Sequence, residues 1–227
     1  MIMQIIPALL CETFSDFQQK LARVEPIFNL VQIDIMDGVF VPNKSFFDIE
    51  KINELKTKTK FEVHLMVEHP LQEIEKWLEI KNLERIIFHI ESKDNPDEVI
   101  AQIRGACKQV GMATNPETPF AIIKPYLNKI DEILFMTVNP GAQGREFLPE
   151  IKNKIIECAA TANHPTIAVD GGINIKNIGQ VKSWGVEIAY TGSSITLAED
   201  TKKAYNTLKQ AAGQNVFDAL ISIFKRP

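Results

Sequence analysis

Short aliphatic or β-branched runs alternate eight times with longer amphipathic segments along the 227-residue chain. No other feature limits the fold as much. Residues 4–9, 30–36, 61–66, 85–90, 112–115, 132–138, 166–169 and 187–191 read as strands. Residues 13–24, 47–55, 71–80, 95–110, 121–126, 148–160, 175–184 and 201–212 carry helical spacing. A helix between two strands returns the chain to the same end of the sheet, so successive strands pair in parallel. Eight such units without a linker or a composition break predict an α/β fold, the (β/α)8 TIM barrel, over residues 1–227 as one domain. An open doubly wound sheet is the alternative, but no GxGxxG follows the first strand.

In such a barrel, chemistry sits where the strands end. The second strand, LVQIDIM, places Val31, Ile33 and Ile35 on one face and Gln32, Asp34 and Met36 on the other. Its flanks are apolar, so both faces are expected to be buried, and a buried carboxylate needs partners. The third strand brings His64 and Met66 to one face, the sixth ends in Met136, and the seventh ends in Asp170. Barrel closure therefore gathers Asp34, His64 and Asp170 at one mouth. Aspartate after a strand is often only a cap or turn residue. Two acids at equivalent strand ends with a histidine between them instead point to acid–base or metal chemistry. Asp37 reads as a turn residue before Gly38, His69 as a loop or cap residue, His89 as a structural histidine near the mouth, and His164 as solvated.

Three glycine turns follow late strands: Gly141-Ala142-Gln143-Gly144, Gly171-Gly172 and Gly192-Ser193-Ser194. Each alone is an ordinary turn. Together, at adjacent strand ends, they read as a phosphate cradle built from backbone N–H groups. Met36, Met66 and Met136 would serve as core filler elsewhere; beside Asp34 and His64 they suggest a polarizable lining around developing charge.

Composition closes off other classes. A net charge of −4 and the absence of a basic run argue against nucleic-acid or anionic-membrane partners. Cys11, Cys107 and Cys158 are too few and scattered for a disulfide framework or zinc ribbon, and Cys107 and Cys158 are expected as buried or half-buried helix residues. The opening MIMQIIPALL is too short to span a bilayer and reads as a first strand, which points to a cytoplasmic protein. Val216, Phe217, Leu220, Ile221 and Phe224 form an apolar stripe in 214–227, read as an extra helix on the barrel or as a homo-oligomer contact.

IIPALL, IDIMDGVFVPN, EVHLMVEHP, NPETP, MTVNPGAQGREFLPEI, VDGGIN and TGSSI resemble, in order, the signatures of the ribulose-phosphate 3-epimerase family. The resemblance covers nearly the whole chain to about residue 212. It implies a ribulose-phosphate-binding barrel and an isomerase of pentose-phosphate metabolism that inverts C3 of D-ribulose 5-phosphate to give D-xylulose 5-phosphate. It further implies a divalent metal (Zn, Fe, Mn or Co) held by two histidines and two aspartates. Asp34, His64 and Asp170 match three of those positions, the two aspartates also being the acid and base, and the methionines match a cap over the substrate. Three departures stand out. Gln32 occupies the first metal histidine's position, Ala8 replaces a substrate-contacting serine, and Gln143 replaces a phosphate-loop glycine. Glutamine offers a hard cation a carbonyl oxygen but replaces imidazole poorly for Zn2+ or Fe2+. The alternatives are a six-carbon (allulose 6-phosphate type) ketose-phosphate 3-epimerase and a barrel that binds a phosphosugar without turning it over.

Overall fold

The computed structural model of the protein describes residues 2–46, 48–141 and 144–213. Among them, eight parallel strands close into a barrel in sequence order: β1 Gln4–Leu9, β2 Leu30–Met36, β3 Lys60–Met66, β4 Leu83–His89, β5 Gln109–Thr114, β6 Glu132–Met136, β7 Thr166–Asp170 and β8 Ile188–Thr191. β8 pairs with β1, so no edge is left open. The helices are α1 Phe14–Val24, α2 Ile49–Glu54, α3 Pro70–Trp77, α4 Pro96–Gly105, α5 Phe120–Ile123, α6 Lys152–Ala159, α7 Ile178–Ser183, α8 Ser193–Thr196 and α9 Thr201–Ala211. None is long and apolar enough to cross a membrane. The barrel is the architecture that the strand–helix alternation predicts; the tail expected as an extra helix lies outside the described residues.

Local chemistry sets the helix starts. Thr13, Asp48, Asn95 and Asp200 cap α1, α2, α4 and α9 by accepting a hydrogen bond from a first-turn N–H. Pro70 and Pro96 open α3 and α4, where a missing N–H costs nothing. Some boundaries move. α4 stops at Gly105, and Cys107 adopts a φ of 56°, so the chain reverses and β5 begins at Gln109. Cys107 is therefore an exposed turn residue and not the buried or half-buried helix residue expected of it. Cys158 is buried in α6, and burial pushes its thiol up to about 12. The four-residue helix α8 was not expected.

The odd and even positions of each strand face different surroundings. Val31, Ile33, Ile35, Val63 and Leu65 point outward into one apolar layer with Phe17 and Leu21 of α1 and Ile74 and Trp77 of α3. Inside, the barrel is narrow: Ile6, Ala8, Ala113 and Ala168 pack with Leu134 and Tyr190. At Gly111 of β5 a Cβ would sit 2.6 Å from Ile87 Cγ1, so no side chain fits there.

Two inward residues at the amino-terminal side are buried glutamates, Glu62 and Glu132. Arg85 pairs with both, lying 3.2 Å from Glu62, and Tyr190 donates its hydroxyl to Glu132 at 2.9 Å. One guanidinium cannot neutralise two desolvated carboxylates. Burial, reinforced by the charge of Glu132, pushes the Glu62 carboxyl up to about 8. The folded state thus keeps a proton that the unfolded chain releases. That contribution to stability is complete below the ordinary value of 4.5 and disappears as pH rises through about 8. Unfolding free energy should therefore fall with pH between these limits by on the order of 1.4 kcal/mol per unit from this group. Denaturant titrations at several pH values should show a flatter slope in Glu62→Gln than in the wild type; identical slopes would count against the buried proton.

Candidate functional site

Parallel pairing without a register shift sets Asp34 beside His64 and Met36 beside Met66 on β2 and β3, and Met136 beside Asp170 on β6 and β7. Barrel closure then carries Asp170 across to Asp34. Asp34, His64 and Asp170 are all buried, and each offers a ligand atom within 4.8 Å of the others. His64 Nδ1 lies 3.3 Å from Asp34 Oδ1 and 3.6 Å from Asp170 Oδ2. Gln32 Nε2 donates to Asp34 Oδ1 and to Asp170 Oδ2, both at 2.8 Å. Its Oε1 is buried without a hydrogen-bond partner among the described residues.

The electrostatics follow from burial. Desolvation raises Asp34 above the usual carboxylate range, a hydrogen bond from His64 opposes it, and the charge of Asp170 adds to it. Burial alone would pull His64 down. A hydrogen bond to Asp34 and the negative charges of Asp170 and Asp34 outweigh that and hold the imidazole up at about 9. An imidazolium N–H and an amide N–H thus converge on the same carboxylate oxygens, the place a cation would take. Rotating the Gln32 amide by half a turn exchanges its nitrogen for the partnerless oxygen. Two carboxylates, one imidazole nitrogen and that carbonyl oxygen fit a divalent cation, as a harder donor set than two histidines and two aspartates.

These groups open into a cavity of about 490 Å³, the size of a small-ligand pocket. Ala8, Met36, Met66 and Met136 line it, as do Gly141, Gly144, Gly171, Gly172, Gly192 and Ser193. Ala142 and Gln143 lie outside the described residues. Gly171, directly after Asp170, has a φ of 116°, and a Cβ there would meet Val138 Cγ2 at 2.5 Å. The turn that aims Asp170 therefore requires glycine. Asn43 of the VPN segment donates to the Gly141 carbonyl at 2.7 Å, tying the loop after β2 to the loop after β6. Asp37 is the turn residue expected: its Oδ1 accepts from Val39 and Phe40 N–H, and its Oδ2 accepts from Glu68 N–H. Arg145, Asn174 and Lys176 also line the cavity, at positions the motif reading did not single out.

Behind His64 lies a second layer. His64 Nε2 is 2.9 Å from His89 Nε2, and His89 Nδ1 is 3.1 Å from Glu91 Oε2. Burial would raise the Glu91 carboxyl, but its hydrogen bonds to His89, Thr118 and the Asn115 N–H hold it below the usual carboxylate range. His89 is bonded at both nitrogens, as a structural histidine should be. Glu91 is not among the residues the sequence motifs point to; the His-x-Glu spacing at the end of β4 is its one signal in the chain.

Residues 4–196 match the sequence pattern of the ribulose-phosphate 3-epimerase family. The chain belongs to this family. It is 32% identical over 196 residues to ribulose-phosphate 3-epimerase of Treponema pallidum, covering 84% of this chain and 89% of that one. It is 35% identical over 176 residues to the Buchnera aphidicola enzyme of the same name, covering 74% and 76%. Among solved structures, 3-hexulose-6-phosphate synthase from Salmonella typhimurium superposes with a TM-score of 0.70 over 93% of this chain and 99% of that one, at 17% identity. At that identity the likeness shows a shared barrel. A divalent cation bound between these three side chains, Asp34, His64 and Asp170, would have to displace the His64 proton. Affinity for Zn2+, measured by titration calorimetry, should therefore rise about tenfold per pH unit up to about 9. Gln32→His should tighten Zn2+ binding, since imidazole is the better ligand for it.

Proposed function

We propose that the protein is a ketose-phosphate 3-epimerase that converts D-ribulose 5-phosphate to D-xylulose 5-phosphate, with Asp34 and Asp170 as the acid–base pair. The observation that carries this reading is the pair of buried carboxylates, joined through Gln32 and His64 and facing one cavity. Inverting a carbon beside a carbonyl requires removal of its proton from one face and delivery of a proton to the other. One aspartate takes the C3 proton while the electron pair moves into the C2 carbonyl, giving an enediolate. The other aspartate delivers a proton to the opposite face. Burial, which raises Asp34, favours a carboxyl able to hold a proton between steps.

Asp34, His64 and Asp170, with Gln32 Oε1 as a weaker donor, would hold the divalent metal. Such an ion supplies charge stabilisation at the substrate oxygens where negative charge develops. Met36, Met66 and Met136 keep water from the reacting carbon while offering polarizable sulfur. The glycine turns bind the distal phosphate through backbone N–H groups; those of Ser193 and Ser194 are among the ones a helix start leaves without intrahelical partners. That binding fixes C3 between the carboxylates from a distance.

The Gln32 amide spanning both carboxylates favours one rival reading, a barrel that binds phosphosugars without turnover. Substrate incubated in D2O with metal-replete protein should gain deuterium at C3. No incorporation with either a five- or a six-carbon ketose phosphate would leave the binding barrel in its place, and faster exchange with the six-carbon sugar would reassign the substrate. Asp34→Asn and Asp170→Asn should each slow turnover by ~10²–10⁴-fold.

A further inference from the structure

We infer that Glu91, acting through His89, is a positioning residue that determines which nitrogen of His64 presents its lone pair between the two aspartates. This rests on the reading of His64 as a metal ligand. It follows from the direction in which each hydrogen bond must run.

Glu91 Oε1 accepts from the Asn115 N–H at 2.9 Å and from Thr118 Oγ1, and the Thr114 hydroxyl lies 3.3 Å from both that oxygen and the Asn115 carbonyl. Two donors aimed at one oxygen stabilise the ionised carboxylate, which is acceptor-only. The other oxygen, Oε2, therefore accepts from His89, and the proton of that bond sits on His89 Nδ1. His89 Nε2 faces His64 Nε2 at 2.9 Å, so one proton lies between them. On His89 it would make that buried ring the cation, with the single carboxylate of Glu91 beside it. On His64 it belongs to a ring flanked by two aspartates. The proton therefore resides on His64 Nε2, and His89 stays neutral as its Nδ1–H form.

Only His64 Nδ1 is then free to change state. It carries a proton toward Asp34 and Asp170, or gives a lone pair to a cation there. Without the Glu91 carboxylate, His89 has no fixed acceptor on that side and can turn a donor toward His64. His64 Nε2 would then accept, Nδ1 would keep its proton, and the ring could not ligate. A cation ligand fixed by an outer carboxylate in this way is a recurrent arrangement, and its loss costs ~10–100-fold in metal affinity.

Long-range 1H–15N spectra of the histidine rings of the full chain, recorded metal-free and with saturating Zn2+, test this directly. The expected pattern is a protonated Nε2 on His64 and a protonated Nδ1 with an unprotonated Nε2 on His89 in both samples, with only His64 Nδ1 responding to Zn2+. An unprotonated His64 Nε2 in either sample overturns the proposal. In Glu91→Gln, Zn2+ affinity should drop by ~10–100-fold while an Nε2–H form of His89 appears; unchanged affinity together with unchanged tautomers also overturns it. A wild-type protein that binds no Zn2+ would overturn the metal-site reading, whereas the metal-free spectrum would still decide for or against the relay.

Discussion

Two carboxylates buried close together inside a closed barrel are the constraint on which the rest of the site depends. Asp34 and Asp170 come from strands far apart in sequence, and neither is tolerable in the interior alone. Each accepts a proton donor from Gln32 and has His64 beside it. His64 in turn leans on His89, and His89 on Glu91, whose charge is met by loop donors at the barrel mouth. The desolvation cost of the central acids is thus spread through a network from β2 to the loop after β5. A network of this kind is stable only when complete, which explains why so many polar side chains share one end of an otherwise aliphatic core.

The barrel interior carries a second charged layer beneath the first. Glu62, Arg85, Glu132 and Tyr190 fill the amino-terminal side, with Ala113, Ala168 and Leu134 among the small and aliphatic side chains of the interior. The layers sense one another, since the charge on His64 helps pull Glu132 down against its burial. Glu62 and His64 alternate on the same strand face, so a single β-strand contributes to both. The upper layer opens into the cavity while the lower is sealed from it, which divides chemistry from stability within one set of strands.

Much of this was legible in the chain. Period-two alternation in LVQIDIM placed Asp34 and Gln32 inward, and the same alternation in FEVHLM placed His64 beside them. Caps at Thr13, Asn95 and Asp200 and prolines at 70 and 96 mark helix starts through backbone chemistry that acts within a few residues. What failed was equally local in cause. The end of α4 depends on the left-handed turn at Cys107, a conformation that nothing in its side chain announces. α8 is one turn long, too short to display a period. Glu91 carries no strong sequence signal because, His89 apart, its partners Asn115 and Thr118 are more than twenty residues away.

Sequence alone determined the strand–helix alternation, the inward residues of each strand, the family, and the substitution of glutamine at position 32. These depend on side-chain periodicity and on short motifs, which are properties of the chain read in order. Tertiary structure decided what those residues do to one another. Closure of β8 onto β1 and the register of β2 with β3 set the distances among Asp34, His64 and Asp170. The same packing turned the Gln32 amide into a bridge across two carboxylates and His89 into the link between His64 and Glu91. Hydrogen-bond direction and pKa depend on distance and burial, and neither exists until segments far apart in the chain meet.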